Sequence, residues 1–243
     1  MNSNGSLWDY LPFLLAGIPV TLEITFMAMA VVIPVSVVLA LGRNSRLAVL
    51  RWPAGFVIEL FRGSSALVQL FWAFYVLPFF GINLPPLAAA VLILGLNEGS
   101  YFSEVVRSAL TSIRTGQLEA AVALHLPPRY RFFHIVLPQV LPVMMPPFGN
   151  SVVGMLKFTA LVSLVTVQDL SFRAGAIRSA IGSSGAVYGV TLLTYFGLAM
   201  MLSAAVRMLE RTVNRWAGRE PHSAAGGQTA RTSSVPAWAV LGR

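Results

Sequence analysis

Four long stretches of this chain carry no charged residue. Ile24–Gly42 runs for 19 residues, Gly63–Asn97 for 35, Ile135–Leu156 for 22 and Ser179–Val206 for 28. A helix rises 1.5 Å per residue, so the shortest of these covers about 28 Å, close to the thickness of a bilayer's hydrocarbon core. Only 11% of the 243 residues are charged, where a soluble domain carries about 25%. The chain therefore reads as an all-α integral membrane protein. It has no cysteine, which removes disulfides, thiolate metal sites and cysteine nucleophiles. The net charge of +8 does not point to nucleic acid, because the arginines fall between apolar runs instead of forming one basic face.

The runs resolve into five expected spans. The first covers about residues 17–42 and is followed by Arg43, Arg46 and Arg51. The 35-residue run is too long for one helix, and "LPFFGINLPP" (Leu77–Pro86) breaks it with proline and glycine. Spans two and three are placed at about 64–80 and 86–110, the latter opened by Pro86. Span four lies near 141–165 and span five near 187–210, with a polar loop carrying Asp169, Arg173 and Arg178 between them. Residues 1–16 form an N-terminal extracytoplasmic segment without the basic region of a cleavable signal. Residues 219–243, rich in Gly, Ser, Ala and Pro, are expected as a disordered cytoplasmic tail. With the N-terminus outside, nearly all arginines fall inside and only Arg173 and Arg178 outside, as the positive-inside rule requires.

Residues 111–138 link spans three and four, and they include "GQLEAAVALHLPPRYRFFHIVLP" (Gly116–Pro138). "QLEAAVAL" is strong helix former without a breaker, and Pro127 and Pro128 stop it. A helix of two to three turns is not stable alone, so it must dock on something. By itself it reads as an amphipathic loop helix on the lipid headgroups.

Its residues say more. "GQLEAAVAL" followed by "FFHIVLPQVLP" resembles the EAA loop of ATP-binding-cassette (ABC) importer permeases. "GIPVTLEIT", "FRGSSALVQLFW", "YFSEVVRSAL" and "LKFTALVSL" resemble the polar amino acid uptake branch, over roughly Leu11 to Arg215. The resemblance implies a type I ABC importer permease fold, with five transmembrane helices and a cytoplasmic EAA coupling helix. That helix would fit a cleft on a cytosolic ATPase, through Gly116, Gln117, Glu119, Ala120, Ala121, Leu124, His125 and Arg129. The alanines allow close approach and Glu119 can accept charge-assisted hydrogen bonds. Arg129 and Arg131 would hold the outer side of this handle or face acidic lipid. One position departs from the family, which usually has glycine where this chain has His125. Histidine tolerates a left-handed backbone better than a β-branched residue does.

The chain has no GxxxxGK[ST] pattern, so it binds no nucleotide cofactor of its own; ATP and magnesium belong at the partner ATPase. The implied partners are two ATPase subunits, a second homologous permease or second copy of this chain, a periplasmic or extracytoplasmic solute-binding protein, and the lipid bilayer. The implied location is the bacterial cytoplasmic (inner) membrane.

Polar groups inside a span are candidates for the solute path. Asn97 and Glu98 lie about 18 Å beyond Pro86 along the helix. Asn97, Tyr101 and Glu104 share a face. Glu98 reads either as a structural partner or as a group lining the path. Glu104 with Arg107, and Glu59 with Arg62, are spaced to form structural ion pairs. Span four adds Lys157, which is the chain's only lysine, with Phe158, Thr159 and Ser163. Relatives often read Lys-Asp-Thr-Ser-Leu where this chain reads "KFTAL", so an acid that could hold a cationic substrate is missing. Phe158 could pack a quaternary group or simply fill the core. The wording of Pro146–Arg178 resembles permeases for the zwitterions ectoine and hydroxyectoine. The alternative is a secondary transporter or channel driven by ion gradients, which predicts inverted repeats that the five spans do not display. A membrane-embedded enzyme would need a nucleophile or clustered acids and histidines, and His125, His134 and His222 have no paired acid.

Overall fold

The computed structural model describes residues 7–113 and 115–217. The expected tail from 219 onward lies outside the described residues. All regular structure among the described residues is helical. In chain order the α-helices are α1 (Leu11–Leu15), α2 (Ile18–Arg43), α3 (Ala48–Gly63), α4 (Ala66–Phe71), α5 (Pro86–Thr111), α6 (Thr115–Ala123), α7 (Pro128–Arg131), α8 (Leu137–Phe158), α9 (Leu170–Ile181) and α10 (Ser184–Trp216). Irregular helical turns extend several of them: π turns at Trp72–Val76 and Phe132–Val136, and 3-10 turns at Leu77–Phe80 and Thr159–Val165.

Three stretches are long and apolar enough to cross a membrane: Leu11–Arg43, Pro128–Val165 and Ser184–Trp216. A fourth, α3 continued through Ala66–Phe80, is bent by 105° at the Gly63–Ala66 junction. Helix α5 measures about 39 Å, but Asn97, Glu98, Ser100, Ser103, Glu104 and Arg107 crowd its second half. Five crossings therefore do not follow from apolarity alone, because the central helix hides its polar groups in protein instead of presenting a greasy surface.

Helix α5 is central because two glycines let it touch α2. The α2 stripe Thr21, Thr25, Ala28, Val32, Ser36 and Ala40 is buried. Against it α5 presents Gly95 and Gly99, four residues apart. A Cβ on Gly95 would sit 2.7 Å from Val31 Cβ, and one on Gly99 2.7 Å from Val35 Cγ1. This is the small-xxx-small packing by which backbones approach closely in lipid. Around the pair, Ile24, Leu70, Leu94, Met155, Leu156, Val162 and Leu170 fill one continuous core.

Two helices were not expected from the sequence. The loop placed between spans four and five is helix α9, because both of its ends are capped. The Asp169 carboxylate accepts a hydrogen bond from the Phe172 N–H at 2.8 Å, and Gly182 closes the helix in the left-handed conformation. The stretch after Arg43 is helix α3, amphipathic with Val49, Trp52, Phe56 and Leu60 exposed and Ala54, Gly55 and Ile58 buried. The expected Glu104–Arg107 pair is present at 2.7 Å. The expected Glu59–Arg62 pair is absent: the Arg62 guanidinium lies over the Tyr101 ring, 5.4 Å from its centroid.

Asp169 is fully buried, and burial pushes its carboxyl up to about 6, despite hydrogen bonds from the backbone of Phe172 and the hydroxyl of Tyr195 that pull it down. A raised carboxyl favours the folded state only while protonated. That contribution is complete below the ordinary pKa of about 3.9 and is lost as pH rises through the folded value. The thermal midpoint of the protein is expected to fall as pH rises from about 4 to about 6.5, by up to roughly 3 kcal/mol of stability. Asp169→Asn keeps a good N-cap and should lose that part of the slope. An unchanged slope in the variant would assign the pH dependence to another group.

Candidate functional site

The sequence-derived candidates fall in three places. The first is the α6 loop. Its end is a complete Schellman motif: the Leu126 N–H donates to Ala121 O at 3.1 Å and the His125 N–H to Val122 O at 2.9 Å. That geometry requires a left-handed residue, and His125 supplies it with φ 54°. The helix thus ends at Ala123 on a left-handed residue, before the two prolines are reached. Gly116, Gln117, Glu119, Ala120, Leu124, His125 and Arg129 are exposed, whereas Ala121 is 3% exposed.

Beneath α6 lies a groove of about 420 Å³, lined on one side by Gln117, Ala120, Ala121 and Leu124 and on the other by Leu126, His134, Ile135 and Gln139. The smallness of Ala121 therefore serves the packing of α6 on its own chain. Glu119 does not line the groove and has no ionic partner among the described residues. The far wall is held by a parallel stack of Tyr130 on His134, with centroids 4.2 Å apart. Sequence reasoning did not use His134 and Gln139; both stood in the quoted motif, but their role depends on the π turn at Phe132–Val136, which no local pattern announces.

The second place is the bend between α3 and α4. The Asn97 amide donates to Phe61 O and to Gln69 Oε1, both at 3.0 Å. Gln69 Nε2 donates to Phe61 O at 2.9 Å and to Ser64 Oγ at 2.7 Å. The Tyr101 hydroxyl donates to Arg62 O at 3.1 Å. A helix that stops at Gly63 leaves its last carbonyls without partners, and α5 supplies two of the missing donors from Asn97 and Tyr101. Both residues thus bond the backbone of the bend. Gln69, not among the candidates, is the hub of the arrangement.

The third place is α8 and its extension. Glu98 turns the other way from Asn97, and its carboxylate lies by the hydroxyl of Ser151 of α8. Lys157 and Phe158 are exposed at the end of α8. Lys157 has no hydrogen bond or ion pair among the described residues. Thr159 is buried, and its hydroxyl donates to Leu156 O at 2.7 Å. The Ser163 hydroxyl donates to Ala160 O at 2.8 Å. The α-helix changes to a 3-10 helix at Thr159 and ends at Thr166, a β-branched residue held at φ 65°. A 3-10 stretch and a strained residue next to a free cation are features that cluster where a helix must move or bind. The structure does not gather Asn97, Glu98, Tyr101 and the α8 set into one pocket.

The family model described as "Binding-protein-dependent transport system inner membrane component" matches residues 11–215. The chain is 40% identical to a probable amino-acid ABC transporter permease protein, y4tF, of Sinorhizobium fredii, over 86% of this chain and 91% of that protein. It is 30% identical to the L-cystine transport system permease protein TcyB of Bacillus subtilis, over 87% of this chain and 93% of that one. Among solved structures it resembles an amino acid ABC transporter crystallised with histidines, at TM-score 0.77 and 29% identity, covering 85% of this chain and 96% of that one. An inward-facing MetNI methionine ABC transporter shares the fold at TM-score 0.70 and 22% identity, covering 86% and 99%.

Proposed function

Because this chain belongs to the family of binding-protein-dependent transport system inner membrane components, and is the permease subunit of an amino-acid ABC importer, we propose that α6 is the handle by which a separate ATPase drives it, and that its solute is a zwitterion, ectoine or hydroxyectoine. The observation that carries the first half is the loop itself. A Schellman end fixes α6 on its groove and leaves Glu119 outward with no partner of its own. A cleft lined with N–H donors would meet Glu119 through charge-assisted hydrogen bonds. The arginine-rich ends of the helices lie on the same side as α6 in this reading, which places the N-terminus outside, five spans in the cytoplasmic membrane, and the handle inside. Solute would pass between this chain and a second permease or second copy, with a binding protein delivering it.

The solute class rests on residues. The exposed end of α8 pairs one cation, Lys157, with an aromatic, Phe158, and holds no acid. A solute carboxylate suits Lys157 and a delocalised cation suits the ring of Phe158. A fully cationic amino acid would meet Lys157 as a like charge.

The test is ATP-dependent uptake by vesicles holding the complete transporter, with labelled ectoine, L-cystine, histidine and arginine offered in turn. Glu119→Ala is expected to lower uptake about tenfold, the loss of one charge-assisted contact, while the binding protein still binds its solute. His125→Val, which forces a β-branched residue into the left-handed position, should lose uptake as well, and His125→Gly should keep it. Uptake of L-cystine in place of ectoine would keep the importer and the zwitterion class and refute the ectoine assignment, whereas preferred uptake of cationic arginine would refute the zwitterion class. Uptake indifferent to ATP and to Glu119 would overturn the handle and favour a gradient-driven carrier.

A further inference from the structure

The ends of α2 and α5 and the second half of α3 border an open polar cavity of about 410 Å³ lined by Arg43, Asn44, Glu59, Arg62, Glu104 and Arg107. Glu104 and Arg107 neutralise each other. The remaining three charges do not. Neither Arg43 nor Glu59 has a hydrogen bond or ion pair among the described residues, and Arg62 has only the face of Tyr101. Two guanidiniums without a carboxylate partner and one unpaired carboxylate face one cavity among the described residues.

The guanidinium of Arg43 is placed there by packing. It lies against α3 at Gly55, where any Cβ would overlap its terminal nitrogen. Helix α3 itself has the build of an interfacial helix. It turns 105° away from the apolar segment that follows, and it exposes Trp52, Phe56 and Leu60. Such a helix lies at headgroup depth with its aromatic side in the acyl boundary. Phe56 and Glu59, three residues apart, are neighbours on its surface, so the apolar arc borders the charged cavity.

We propose that this cavity binds the headgroup of a phospholipid bearing a primary ammonium, of the ethanolamine class. The phosphodiester lies between Arg43 and Arg62, the ammonium reaches Glu59, and the acyl chains run over Trp52 and Phe56. This pattern answers all three free charges. A purely anionic headgroup would leave Glu59 against a like charge, and a quaternary choline has no N–H to donate to it. The site is separate from α6 and from α8, so it stands or falls independently of the uptake reading.

The test is native mass spectrometry of the delipidated, complete transporter titrated with phosphatidylethanolamine, phosphatidylcholine and phosphatidylglycerol of identical chains. One ethanolamine lipid per copy of this chain should bind, about fivefold tighter than the choline lipid. Arg43→Gln and Arg62→Gln should each weaken it about fivefold, and Arg43→Lys should restore part of the loss. Gly55→Ala, which displaces Arg43 while keeping every charge, should weaken it too. Glu59→Gln should bring the ethanolamine lipid down to the level of the choline lipid. Arg178→Gln, on α9, should change nothing. Tightest binding of phosphatidylglycerol with no effect of Glu59→Gln would overturn the proposal, as would displacement of the lipid by an equal concentration of inorganic phosphate. Thermal midpoints of the same samples identify any variant that has lost its fold.

Discussion

Gly95→Ala is expected to cost about 1–3 kcal/mol of stability and Gly95→Leu to prevent folding, because the new atoms have nowhere to go. The Cβ would fall 2.7 Å from both Val31 Cβ and Cγ1, and 3.2 Å from the Ala28 carbonyl oxygen. Cβ is fixed to the backbone and cannot rotate aside, so α2 and α5 must separate along their whole contact. Gly99→Ala meets Val35 in the same way, and the double variant should be no more folded than Gly95→Leu. Gly197→Ala in α10 is the control. It meets nothing within 4 Å and should be neutral or stabilising by up to about 1 kcal/mol through helix propensity. Thermal unfolding of the detergent-purified protein measures all five. Equal midpoints for Gly95→Ala and Gly197→Ala would refute the close contact as a source of stability.

Gln69→Leu and Asn97→Leu should each destabilise by about 2 kcal/mol, since each breaks the amide–amide bond and takes one of the two donors from Phe61 O. Their combined cost should fall short of the sum by about 1–2 kcal/mol, the coupling of two members of one network. The alternative use of Asn97, as a solute contact, predicts something else: reduced uptake in Asn97→Leu with an unchanged unfolding midpoint and no coupling to Gln69. The double-mutant cycle distinguishes the two.

Much of the architecture was legible because lipid imposes a simple rule on sequence. Long charge-free runs have to be helices, and Pro86 opens α5 where a proline costs no hydrogen bond. The α6 end was legible to the residue type: the position that wants a left-handed backbone is filled by histidine, and φ 54° at His125 accords with it. What was hidden depends on pairing across the chain. An amide and a phenol on one helix face, Asn97 and Tyr101, read as a polar path and carry no mark of the partners they bond in the structure. Those partners are backbone carbonyls of Phe61 and Arg62, 36 and 39 residues earlier, freed only by a bend that no proline announces. Helix α9 was missed although Asp169 and Gly182 stood at its two ends; its charged residues outweighed its caps. Glu59 and Arg62 had the spacing of a pair, and Tyr101, brought in by α5, took the arginine instead.

The touching backbones of α2 and α5 also decide how a push would travel. Interlocked at Gly95 and Gly99, these two helices cannot slide past each other by a fraction of a turn, so they displace as one piece. Only residues 112–114 separate α5 from α6. At its other end α6 reaches α8 through two prolines and a π turn, and α8 itself contains Pro142, Pro146 and Pro147, each of which removes a stiffening hydrogen bond. One end of the same short helix is therefore coupled to a solid block and the other to a pliable rod. Were α6 pushed, the displacement would be geared unequally, and the difference would fall between the α2–α5 block and α8, where Glu98 lies by Ser151.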